Sequence, residues 1–221
     1  MSWDDPYVYP GTHVLRNKPG LRSIDDLETF ERMQAGMRQI HMPPNIPMTE
    51  DGYRSIHRRL FQDVYEWAGE YRTVNLTKQA DTPVEFEMGP YVTPNMKRVF
   101  GELGCDNYLR DLDRDTYAYR AAVYMDDLNR IHPFREGNGR TQRVFLDALT
   151  RQAGHRLDLT AIGRDAWIDA SVAGYNNDHG PMTRCIRDAL RDRPREIGQG
   201  DDAGITREFT PPGRGRGGKG L

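Results

Sequence analysis

The 221 residues amount to 25.4 kDa, enough for one domain with a real core plus some additional chain. With 29% charged and 37% hydrophobic residues and a net charge of -2, the chain reads as polar-surfaced. That balance gives no global reason to expect nucleic acid, and no stretch approaches the ~18 consecutive apolar residues of a membrane span.

The start of the chain, "MSWDDPYVYPG", lacks the basic and apolar regions of a secretory signal. A cytoplasmic protein is expected, with signal-independent export to another cell left open. Cys105 and Cys185 have no CxxC spacing and read as free or buried thiols.

The first predicted helix is "SIDDLETFERMQAGMRQI", with Ser23 as N-cap and Leu27, Phe30, Met33, Met37 and Ile40 recurring at helical spacing. The prolines of "MPPNIP" end that pattern. In "TEDGYRSIHRRLFQDVYEWAG", Tyr53, Ile56, Leu60, Phe61, Val64 and Trp67 fall on one face, and Gly69 is a natural stop. The next segment, "YRTVNLTKQADTPVEF", has β-branched residues on both sides of a polar turn. It reads as a short hairpin that must lean on the helices, because a lone hairpin is marginal.

A third helix is predicted through "DTYAYRAAVYMDDLNRI", where Tyr117, Ala121, Tyr124, Leu128 and Ile131 alternate four and three apart. A fourth lies in "NGRTQRVFLDALTRQAG", with Val144, Phe145, Ala148 and Leu149 apolar, and stops near Gly154. "RDAWIDASVAG" and "PMTRCIRDAL" predict two more. The fold class is therefore all-α with a small β-hairpin. Beyond about residue 191, Gly, Pro and charge dominate, and 191–221 reads as a flexible tail rather than a second domain.

Between the third and fourth helices stands "HPFREGNGR", residues 132–140. Proline disfavours helix in the residue before it, so His132 closes one helix and Asn138 opens the next. Gly137 and Gly139 leave the backbone bare. A helix N-terminus offers free N–H groups and a positive dipole end to an anion. Arg140 and Arg143, three apart in the first turn, add two guanidinium groups that suit phosphate oxygens. A polyphosphate is the most economical ligand. Glu136 beside phosphates is repulsive unless a cation intervenes, which makes it a candidate Mg²⁺ ligand. Histidine has an ordinary pKa near ~6.5, so His132 is a candidate base at neutral pH. Phe134 reads as a buried anchor for the loop. A histidine after a helix and a Gly-Asn-Gly loop are also ordinary structural features, so a non-enzymatic phosphate-binding module stays open here.

"HPFREGNGRTQR" resembles the signature of the Fic family, HPFx[D/E]GNGRxxR, at every fixed position, and "YEWAGEYRTVNLTK" is similar to the family's segment upstream of it. The resemblance covers about residues 1–190. It implies a helical core with a β-hairpin "flap", and transfer of AMP from ATP to a Tyr, Thr or Ser hydroxyl of a target protein. It also implies His132 as general base and Glu136 as the Mg²⁺ ligand. Gly137, Asn138 and Gly139 would form the anion cradle, with Arg140 and Arg143 on the outer phosphates. Leu76, Thr77 and Lys78 in the flap would register the target by strand-like pairing. Trp167 and Asn176 lie where the family places nucleoside contacts. Doc-like relatives carry a changed motif and phosphorylate instead; others transfer UMP, GMP or phosphocholine.

Small bacterial Fic toxins include modifiers of type II topoisomerase subunits, which become first candidates as targets by analogy. The inhibitory-helix pattern of the family, [S/T]xxxE[G/N], is not found in this chain: its only Glu-Gly or Glu-Asn pair is Glu136-Gly137, inside the motif. Either the protein is constitutively active or a separate small helical antitoxin supplies a glutamate to Arg143; an unrestrained transferase would harm its own cell, so the antitoxin is the expected partner.

Overall fold

The computed structural model describes residues 5–78 and 84–191. Seven α-helices make up most of these residues: α1 (Ile24–Ile40), α2 (Glu50–Phe61), α3 (Gly89–Cys105), α4 (Arg114–Ile131), α5 (Asn138–Gln152), α6 (Arg164–Tyr175) and α7 (Gly180–Ala189). Two small antiparallel pairs accompany them. Thr77–Lys78 (β1) pairs with Val84–Glu85 (β2), and Arg156–Leu157 (β3) pairs with Leu190–Arg191 (β4). The expected tail, 191–221, falls outside the described residues beyond Arg191, which itself pairs with Arg156.

Local signals in the sequence set several helix starts. Ser23, Thr49 and Asp113 each turn a side-chain oxygen onto a free backbone N–H in the first turn, a cap worth about 1 kcal/mol apiece. α2 ends at Phe61, earlier than its apolar pattern suggests, and the chain continues through turns to Gly69, which takes φ 85. Helix α3 has no counterpart among the elements expected from the sequence, because Pro90 and Pro94 disguise it. Pro90 sits in the first turn, where no N–H is needed, and Pro94 forgoes a single bond. Val92, Met96, Val99 and Leu103 bury the face that repays it.

Helix α1 corrects the sequence reading. Met33 and Met37 are each 55% exposed and Ile40 is 81% exposed, whereas the buried face is Leu27, Glu31 and Ala35. The apolar spacing was real, but a face one residue over meets the core, and it carries a carboxylate.

Helix α4 is the central element, packed by α3, α5, α6 and α7. Its Tyr117, Ala121, Leu128 and Met125 are almost wholly inaccessible. Near the junction of α4 and α5 lies an aromatic group: Phe134 stacks on His57 at 3.8 Å and on Tyr53 at 5.7 Å, and Tyr53 meets Phe145 edge-on at 5.2 Å. Phe134 thus nails the connecting loop into the core. Among the described residues, no helix is long and apolar enough to cross a membrane.

Candidate active site

The loop from α4 to α5 is held in shape by buried side chains. Asn138 donates to the Phe134 carbonyl at 2.8 Å and accepts from the Phe134 amide at 2.9 Å, closing the loop on itself. Its side-chain oxygen and nitrogen are both engaged in this brace. His57, absent from the residues singled out in the sequence, supports the loop from below. Its Nδ1 accepts from the Gly69 amide at 2.8 Å, and its Nε2–H donates to the Glu136 carbonyl at 3.0 Å. Burial pushes its pKa down to about 3, so the ring is neutral, as this bonding pattern requires.

Gly137 is required by its surroundings. It has φ 80, and a Cβ there would lie 2.3 Å from the Phe61 ring. Gly139 is different: a Cβ there meets nothing within 4 Å, because the position opens on a cavity. That cavity, about 1100 Å³, lies between α1, the flap, the loop and α6. His132, Glu136, Gly137, Asn138, Gly139, Arg140 and Arg143 all line it.

His132 caps α4 in the left-handed region, φ 48 and ψ 61. Its Nδ1 lies 3.3 Å from the Asn129 carbonyl, which can only accept, so this contact places a proton on Nδ1. Phe86 of the flap stacks on the ring at 3.8 Å. Glu136 is 46% exposed to the cavity, and one of its oxygens accepts from the Gly137 amide at 2.8 Å. Although the side chain opens on the cavity, desolvation by the surrounding protein, and then the negative charge of Glu31, raise its carboxyl above the usual range.

The two arginines are held by different neighbours. Arg140 pairs with Glu31 of α1, lies over the Phe61 ring at 4.7 Å and approaches Glu136 to 3.7 Å. Arg143 donates to the Leu159 and Ile162 carbonyls at 2.8 and 3.0 Å and lies 5.1 Å from the Trp167 ring centre. Among the described residues no carboxylate pairs with it.

Leu76 and Trp167 line the cavity, and Thr77 and Lys78 form β1 beside it. Asn176 does not line it. It caps α6, exposed, with its side chain donating to the Val172 carbonyl at 3.3 Å. The lining residues of α6 include Trp167, Ile168, Ser171, Val172 and Tyr175, and Asn176 lies one position past the end of that helix. Tyr175 instead reaches the flap, donating to the Glu85 carbonyl at 2.9 Å. Glu31 was also missed; a lone acid in line with Leu27 and Ala35 was the available signal.

The Fic/DOC family model matches residues 47–150. A probable protein adenylyltransferase of Sinorhizobium fredii is 38% identical over 83% of this chain and 95% of its own length. The chain belongs to the Fic/DOC family. The protein adenylyltransferase VbhT of Bartonella schoenbuchensis is 34% identical over 83% of this chain, which spans only 38% of that longer protein. In structure, the Fic domain of a Bartonella quintana cell filamentation protein with bound ADP superposes with a TM-score of 0.77. That match has 28% identity and covers 84% of this chain and 94% of the other.

Proposed function

We propose that this chain is a protein adenylyltransferase that moves AMP from ATP to a hydroxyl side chain of a target protein. The observation that carries the reading is the convergence of His132, Glu136 and the loop glycines on one cavity large enough for a nucleotide. The ADP in the Bartonella quintana Fic domain supports a nucleotide as the occupant. In this reading the target oxygen bonds to the α-phosphorus, the bond from that phosphorus to the β-phosphate bridge breaks, and pyrophosphate leaves. His132 Nε2 takes the hydroxyl proton. The amides at the start of α5, with Arg140 and Arg143, stabilise charge on the phosphates. Trp167 and the α6 face bound the nucleoside end. Asn176 stands outside the residues that line the cavity.

The residues fit Mg²⁺. The loop's carboxylate, opening on a phosphate cradle, suits an ion that keeps waters and borrows substrate oxygens. Among the described residues no cluster of three or more His, Cys, Asp or Glu exists to hold a metal by itself. Glu136 would hold the ion, which would neutralise charge on the phosphates.

The flap, through Leu76, Thr77 and Lys78, would present an edge to the target segment. Type II topoisomerase subunits are the first targets to examine. The sequence lacks an inhibitory helix motif, and no carboxylate of the described residues pairs with Arg143. Both support a cytoplasmic toxin restrained by a separate small helical antitoxin. Incubation with α-labelled ATP, Mg²⁺ and bacterial lysate should label protein, and a phosphate-binding module would label none. Expressed alone, the chain should arrest bacterial growth and His132→Ala should abolish the arrest; healthy growth with abundant active protein refutes the toxin reading.

A further inference from the structure

Arg72 lies outside the motif, yet it touches both parts that transfer must keep in register. It is 2% exposed. Its Nε donates to the His132 carbonyl at 2.7 Å. One terminal nitrogen donates to the Val74 carbonyl at 2.6 Å, and the other to the Ile131 carbonyl at 3.0 Å and to the Glu87 carbonyl. The backbone amide of Arg72 donates to the Pro133 carbonyl at 2.8 Å. These partners are backbone oxygens from three segments.

The placement has a physical logic at each end. Ile131 and His132 close α4, where carbonyls lack intrahelical donors and the helix dipole favours a cation. His132 there holds φ 48, a conformation that costs energy for any residue with a Cβ and persists only when its surroundings enforce it. Val74 precedes β1 and Glu87 follows β2, so both stems of the flap meet at one guanidinium. The Glu87 amide adds a bond to the Arg130 carbonyl at 3.1 Å, and Phe86, one residue before, stacks on the His132 ring. Burial lowers the Arg72 pKa only to about 10, so the cation persists at neutral pH.

We propose that Arg72 is a positioning residue for AMP transfer, locking the His132 backbone and both flap stems into one unit. A target strand paired to the flap is thereby delivered in register with the base. The inference rests on the adenylyltransferase reading. Lysine cannot replace Arg72, because an ammonium is a point donor and cannot span four carbonyls in a fork.

The test uses the full chain with Arg72→Lys and Arg72→Met. Affinity for Mg²⁺ with the non-hydrolysable ATP analogue AMPPNP is measured by calorimetry, and initial rates of label transfer from α-labelled ATP to lysate proteins are measured across ATP concentrations. Both variants should bind the analogue within about 3-fold of wild type and keep KM for ATP. Both should lose about 10²-fold in maximal rate, the cost of a small misplacement of reacting groups. Transfer by Arg72→Lys within 3-fold of wild type overturns the proposal, as does a loss of analogue affinity matching the loss of rate.

Hydrogen exchange on wild-type protein gives a reading independent of variant folding and of transfer. The amides of Arg72 and Glu87 should exchange as slowly as those of α4, and exchange at loop rates overturns the clamp. If wild type labels nothing while these amides are protected, the adenylyltransferase reading falls and the clamp stands.

Discussion

Gly137 and Gly139 are two residues apart, and alanine should separate their roles cleanly. At Gly137 the new Cβ would sit 2.3 Å from the Phe61 ring, with φ 80. Left-handed alanine costs about 1–2 kcal/mol, and overpacking a buried site about 1–3 kcal/mol. Phe61 has little room to yield: it is fully buried, packed on His57 at 4.7 Å and covered by Arg140. The sum is about 2–5 kcal/mol, which for a chain of this size lowers Tm by roughly 4–20 °C. At Gly139 the Cβ meets nothing, the residue is helical, and alanine is the better helix former by about 1 kcal/mol. Gly139→Ala should melt at or slightly above wild type, yet its methyl projects into the cavity where phosphates would lie. Thermal melts and AMPPNP calorimetry read both effects. Gly139→Ala should lose at least 10-fold in affinity without losing stability; the reasoning is refuted if it binds like wild type, or if Gly137→Ala melts within a degree of wild type.

His132→Ala should lower transfer by about 10²–10⁴-fold while binding AMPPNP within a few-fold of wild type, because the ring holds a proton acceptor and not the cradle; full activity would remove it from the mechanism. Glu136→Ala should raise the Mg²⁺ concentration needed for half-maximal activity severely, and an unchanged Mg²⁺ titration would require another ligand. His57 is held neutral in the fold, with a pKa near 3 against about 6.5 unfolded. The unfolded chain therefore binds the extra proton, so the contribution is present above about pH 6.5 and is lost as pH falls toward 3, by up to ~1.4 kcal/mol per unit. Urea midpoints at pH 7.5, 6 and 5 should fall more steeply for wild type than for His57→Gln; parallel slopes would count against a buried neutral ring.

The loop was legible because its chemistry is contiguous. Residues 132–143 carry base, acid, glycines and arginines within one turn and two helix ends, and local rules place them: proline closes α4, and the glycines shape the turn into α5. Helices α2, α4, α5, α6 and α7 were legible for a similar reason, since periodicity is a local property. What the sequence by itself could not determine depends on partners far along the chain. Glu31 reaches Arg140 across 109 positions, and Arg72 reaches His132 across 60. His57 reads as one more surface residue of α2 until Phe134 and the Glu136 carbonyl arrive 77 and 79 residues later. Which stripe of α1 faces inward was likewise a tertiary decision. Glu31 is buried with Arg140 of α5 and the Tyr65 hydroxyl as partners, whereas Met33, Met37 and Ile40 stand at the surface.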